Sequence, residues 1–132
     1  MRATWDKDAV AVAAGIDDVH LETSILTYNN ENSLSCIIAL AYYSAKTYYN
    51  EFRELPSGKG YADIVFLPKH QYSYKPAMIV ELKWDKSAEG AIEQIRNRRY
   101  ADGLGGYAGK MLLVGINYNK RNKVHECVIE ER

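Results

Sequence analysis

The sequence predicts a single α/β domain in which a mixed central sheet is flanked by helices. Three observations carry this. Apolar residues recur at helical spacing in three places. Near-continuous apolar runs of strand length fill the second half of the chain. One of the helical patterns lies between two of those runs, which makes a crossover connection and hence a parallel strand pair beside antiparallel ones.

The elements follow in order. From about Asp6 to Asp18, Ala9, Val10, Ala13 and Ile16 fall at helical spacing and predict a short helix. The stretch from His20 to Asn30 is ambiguous. Asn30 then suits the N-cap of a longer helix whose stripe is Leu34, Ile37, Ile38, Ala41, Tyr42 and Ala45, about four turns on one face. Two strand-like runs, Tyr48 to Leu55 and Tyr61 to Leu67, surround Pro-Ser-Gly-Lys-Gly and predict a hairpin. A polar loop from Lys69 to Lys75 leads to a third strand, Ala77 to Trp84. Ser87 can cap the next helix, which has Glu89 in its first turn and Ala88, Ala91, Ile92 and Ile95 on its buried face. It runs to about Ala101, before the Gly-Leu-Gly-Gly of 103–106, a helix stop rather than a P-loop because no Gly-Lys-Ser/Thr follows. Lys110 to Asn117 reads as a buried strand, Tyr118 to Asn122 as a turn and Lys123 to Glu130 as the last strand. The predicted order is therefore α, α, β, β, β, α, β, β.

Composition bounds the function. The chain has 132 residues, one domain's worth, with 47% hydrophobic residues, enough for a core without staples. No run reaches the roughly 18 consecutive apolar residues of a membrane span. Met1 to Val10 carries Asp6 and Asp8 and does not read as a signal peptide. Lys and Arg number 17 and Asp and Glu 17, so net charge is zero, which counts against a broad nonspecific DNA coat but leaves room for a local basic groove. Cys36 and Cys127 lie far apart in apolar patterns and read as two small buried thiols of a cytoplasmic protein. Eleven tyrosines against two phenylalanines suit core edges, where the ring packs and the hydroxyl stays wet. His20, His70 and His125 have no metal-ligand spacing and read as surface or structural residues. Pro56, Pro68 and Pro76 fall between periodic segments, and no linker divides the chain.

Polar residues interrupt the pattern at three positions. In the third strand, Met78, Val80, Leu82 and Trp84 make an apolar face, while Ala77, Ile79, Glu81 and Lys83 make a face that begins apolar and ends charged. In the second strand, Asp63 interrupts Ala62, Ile64, Val65, Phe66 and Leu67. A buried carboxylate is costly unless paired or bound to metal. With the two strands adjacent, Asp63, Glu81 and Lys83 converge in one cleft. Two carboxylates, with the Leu82 carbonyl as a further ligand, can hold Mg²⁺ or Mn²⁺, which prefer oxygen. Such an ion activates water and neutralises phosphodiester charge. Lys83 can orient or deprotonate that water, or stabilise the pentacovalent phosphorus. Glu-x-Lys alone occurs by chance in about one chain in two of this length. The information lies in its conjunction with an Asp in an apolar strand and a capped helix after it. The competing reading is a satisfied ion-pair network at a sheet end.

Lys59-Gly60-Tyr61-Ala62-Asp63-Ile64-Val65, then Ile79-Val80-Glu81-Leu82-Lys83, then Gln94-Ile95 with Tyr100, resemble the PD-(D/E)XK nuclease superfamily. More closely, the run resembles a bacterial branch in which the domain follows an AAA-ATPase-like domain. The resemblance extends over about residues 30–128 and implies a restriction-endonuclease-like core: helix, three strands, helix, two strands. The core is then about residues 30–130, with a helical extension over 1–29. The ATPase region is absent from these 132 residues, which reads as a piece of a longer protein. The resemblance implies that Asp63 is the motif Asp, that Glu81 and Lys83 are the (D/E)xK pair, and that Gln94 helps hold the site together. Glu31, early in the long helix, matches the acidic residue some members place there. Ala62 stands where the motif has Pro, without removing a ligand. The implied activity is Mg²⁺- or Mn²⁺-dependent hydrolysis of nucleic acid, DNA foremost, by a cytoplasmic domain. Members often form homodimers, by analogy of fold alone.

The rival from another class is a catalytically silent nuclease-fold module that binds nucleic acid or protein beside an ATPase. It predicts binding without turnover in Mg²⁺ or Mn²⁺. Lys86, Arg96, Arg98 and Arg99 flank the site and can contact phosphates, although Asp85, Glu89 and Glu93 make a solvated, locally paired helix face the commoner outcome.

Overall fold

The computed structural model describes residues 2–22, 38–39, 41–57, 60–97 and 110–132. A short helix, α1 (Arg2–Trp5), is followed by α2 (Ala9–Glu22). Lys7 between them takes a left-handed φ of 58°, and Asp8 caps α2, its Oδ1 accepting from Ala11 N at 3.1 Å. The helix expected from about Asp6 to Asp18 is α2, which starts at Ala9 and runs on to Glu22, and α1 precedes it. Its stripe also differs. Val12 and Ile16 are buried with Val19 packed beside them, while Val10 is 82% exposed. The segment is alanine-rich and apolar on several sides, so spacing alone did not single out the inward face.

Residues 38, 39 and 41 are helical and lead into a 3₁₀ turn, Tyr43–Thr47. Ile38, Tyr42 and Ala45 are buried, as their stripe requires. The proposed cap Asn30, with Leu34, Cys36 and Ile37, lies outside the described residues.

The strands are β1 (Tyr49–Ser57), β2 (Gly60–Pro68), β3 (Ala77–Trp84), β4 (Met111–Asn119) and β5 (Val124–Glu131), with α3 (Ala88–Asn97) between β3 and β4. Their order in the sheet is β1-β2-β3-β4-β5. Only β3 and β4 are parallel, Ala77 pairing with Met111 and Trp84 with Tyr118. The other neighbours are antiparallel, so the sheet is mixed as expected. Pro56 and Pro68 lie within strands rather than in gaps. β1 is an edge strand, where a missing N–H is tolerated. Ser87 caps α3, its Oγ accepting from Gly90 N at 2.9 Å.

Each sheet face has its own core. Ile64, Phe66, Met78, Val80, Leu82, Leu112, Val114 and Ile116 pack with α2 and the segment around Ile38 and Tyr42. Val65, Ala77, Ile79, Met111 and Leu113 pack with Ile92 and Ile95 of α3. Burial on both faces explains why β3 and β4 are nearly unbroken apolar runs. Tyr42, Tyr49 and Tyr118 are buried and serve packing. Tyr49 OH accepts from Trp5 Nε1 at 2.8 Å and donates to Pro76 O at 2.6 Å, which ties α1 to the sheet. Cys127 of β5 is half-buried, and burial pushes its thiol up to about 12, out of the reactive range. Among the described residues no helix is long and apolar enough to cross a membrane.

Of the three histidines, His125 is structural. Its Nδ1 and its main-chain N both meet Asp17 Oδ1, at 2.6 and 2.9 Å, so it pins α2 to β5. Desolvation lowers its pKa below the ordinary 6.5, although the Asp17 contact works the other way. Below that value the unfolded chain therefore binds a proton that the folded chain resists. Stability is present in full above about pH 6.5 and is lost as pH falls. We expect the melting temperature to drop between about pH 7.5 and pH 5.5, and to drop less in His125→Gln. Equal slopes in the two proteins would assign the loss to other groups.

Candidate active site

The three polar interruptions meet where the sheet forks. β2 and β3 are paired at Phe66 with Met78, Val65 with Ile79 and Ile64 with Val80. Beyond Ile64, β2 continues with β1 as far as Gly60, whereas β3 continues with β4 as far as Trp84. Asp63 stands at this parting. Its Oδ2 accepts from Leu82 N at 2.8 Å, so the carboxylate takes the place of a strand partner. In a strand, the N–H and C=O of one residue project from the same edge. The Leu82 carbonyl therefore leaves β3 on the side where Asp63 enters.

Glu81 lies two residues from Ile79 and shares its face, under α3. It is only 3% exposed. Its Oε1 accepts from Gln94 Nε2, and Gln94 Oε1 in turn accepts from Lys83 Nζ. One helix residue thus joins carboxylate and ammonium through a neutral amide held at both ends. Burial of Ala91, Ile92 and Ile95 turns Gln94 toward the sheet end, where β3 ceases to be apolar. Asp63, Lys83 and Gln94 are half-buried, so the cluster opens to solvent on one side.

This donor set suits a hard divalent cation. Among the described residues no three or more His, Cys, Asp or Glu side chains gather as a metal site. The oxygen donors here are instead two carboxylates and one main-chain carbonyl. That is enough for Mg²⁺, which keeps several waters and takes one or two carboxylates.

The structure thus brings together Asp63, Glu81, Leu82, Lys83 and Gln94. Glu31, Tyr100, Arg98, Arg99 and the 103–106 turn lie outside the described residues. Arg96 pairs with Glu130 of β5, its Nε 3.1 Å from Oε2 with Nη2 on the same oxygen. Its charge is engaged there. Lys86 is exposed in the turn after β3.

Two residues beside the site escaped the sequence reading. Gly115 pairs with Glu81 and Asn117 with Lys83 across the parallel β3–β4 ladder. Asn117 is fully buried. The only signal in the sequence was a polar residue at the end of an apolar strand.

A family model described as the PD-(D/E)XK nuclease superfamily matches residues 29–127. No curated protein and no solved structure matches the chain.

Proposed function

The chain belongs to the PD-(D/E)XK nuclease superfamily, and from that membership we propose that it hydrolyses phosphodiester bonds of nucleic acid, DNA foremost, with Mg²⁺ or Mn²⁺. The observation that carries the proposal is the meeting of Asp63 with the Glu81–Gln94–Lys83 chain at the fork of the sheet. Asp63, Glu81 and the Leu82 carbonyl would hold the cation. When bound, it supplies Lewis-acid charge neutralisation at the phosphate and the attacking water. Lys83, whose ammonium donates to Gln94 Oε1, would orient that water or stabilise charge on the phosphoryl oxygens. Gln94 keeps the buried Glu81 carboxylate from turning away. A cytoplasmic setting, a homodimer and a preceding AAA-ATPase-like domain extend the proposal and rest on the sequence resemblance.

The test uses Asp63→Asn, which keeps an acceptor for Leu82 N and removes the charge. Calorimetry should show Mn²⁺ binding to the parent and loss of at least about tenfold in affinity in the variant. Cleavage of DNA should fall by about 10²–10³-fold. A parent that binds no Mn²⁺ and cleaves neither DNA nor RNA would overturn the proposal in favour of a silent binding module.

A further inference from the structure

β4 runs beside the catalytic strand and carries a residue outside the motif whose bonds lead to the site. Lys83, Asn117 and Glu126 stand in register across β3, β4 and β5, in a row on one face of the sheet. Asn117 is 0% exposed. An amide so buried is costly unless its polar atoms are bonded. Its Oδ1 accepts from Lys86 N at 3.0 Å, and its Nδ2 donates to Glu126 Oε1 at 3.1 Å.

Lys86 belongs to the turn joining β3 to α3. Asp85 before it takes a left-handed φ of 54°. Asp85 N donates to Tyr118 O at 2.8 Å, and Asp85 Oδ1 accepts from Lys120 N at 2.7 Å. The turn is therefore clamped to β4 and to the turn after it, and Asn117 supplies the clamp nearest α3. That helix begins two residues later, at Ala88, and delivers Gln94 to Glu81 and Lys83. A helix behaves as a stiff rod over this length, so the placement of its first turn sets the reach of Gln94.

We propose that Asn117 is a positioning residue for the Glu81–Gln94–Lys83 chain, acting through Lys86 N and the β3–α3 turn. The proposal deepens the nuclease reading and rests on it for the kinetic readout only.

The test compares Asn117→Ala with the double variant Asn117→Asp/Glu126→Gln in the full chain. The double variant exchanges donor and acceptor between the two side chains and keeps an acceptor for Lys86 N. Two readouts are taken: the rate of DNA cleavage in Mn²⁺, and the side-chain amide resonance of Gln94 by NMR. Asn117→Ala should lower kcat by about 10–100-fold, with KM within about twofold of the parent. The Gln94 resonance should move toward that of a solvated glutamine. The double variant should restore both. An unchanged kcat and an unchanged Gln94 resonance in Asn117→Ala would overturn the proposal. Loss without rescue would also overturn it, since the bonds of the amide would then not be the cause. Should Asn117→Ala fail to fold, Asn117→Leu takes its place with the same expected and overturning results, because it fills a similar volume and offers no acceptor to Lys86 N. A parent that cleaves nothing, with a Gln94 resonance that still responds to Asn117→Ala, would sink the nuclease reading and leave the positioning role standing.

Discussion

Glu81→Gln is expected to reduce cleavage by about 10³-fold while leaving the protein folded and no less stable. Glu81 is 3% exposed and lies within a strand whose preceding residues are all buried and apolar. Holding an ionised carboxylate there costs free energy that folding does not need to spend. The amide has the same shape and still offers an oxygen to Gln94 Nε2. It lacks the charge that would draw a divalent cation. The melting temperature should therefore hold or rise, as is common when a functional charge is removed from a buried site. A structural ion-pair network makes the opposite prediction, because removing one partner of a buried pair typically costs about 3–5 kcal/mol. Thermal melting and cleavage of labelled DNA, measured on the same preparation, separate the two. A large fall in melting temperature with cleavage intact would mean that Glu81 serves the fold.

The second large effect belongs to Gly115. A Cβ at this position would lie 2.5 Å from Ala88 O, 3.0 Å from Ile92 Cγ1 and 3.1 Å from Ala91 Cβ. The nearest of these is a main-chain carbonyl in the first turn of α3, which cannot swing aside as a side chain can. Gly115→Ala must therefore lift the helix from the sheet. Overpacking of this kind costs about 1–3 kcal/mol, on the order of 5–10 °C in Tm for a domain of this size. The same displacement should withdraw Gln94 from Glu81 and Lys83, so cleavage should fall more steeply than the loss of folded protein explains. Calorimetric melting and activity well below the transition check both parts. A melting temperature within about 1 °C of the parent would show that α3 has slack, and the packing argument would fail.

What the sequence determined by itself was local. The limits of β3, the Ser87 cap, the crossover between β3 and β4, and the placing of Asp63, Glu81 and Lys83 as interruptions of apolar strands all follow from periodicities of two and 3.6 residues. Those periods say which residues share a face, and a charge on a covered face is conspicuous. The expectation that Gln94 stands beside Glu81 and Lys83 came from the resemblance to a family rather than from its spacing, since a lone glutamine on a helix has no signature.

Tertiary structure alone decided the rest. Whether Val10 or Val12 turns inward depends on what α2 packs against. The bond from Leu82 N to Asp63 exists because β2 and β3 part at that register, and register is a relation between strands that neither strand encodes. Gly115 and Asn117 matter because α3 lies within contact of β4 and because the β3–α3 turn returns to it. Such distances between elements arise only when side chains from distant parts of the chain fill one volume, and no window of neighbouring residues contains them.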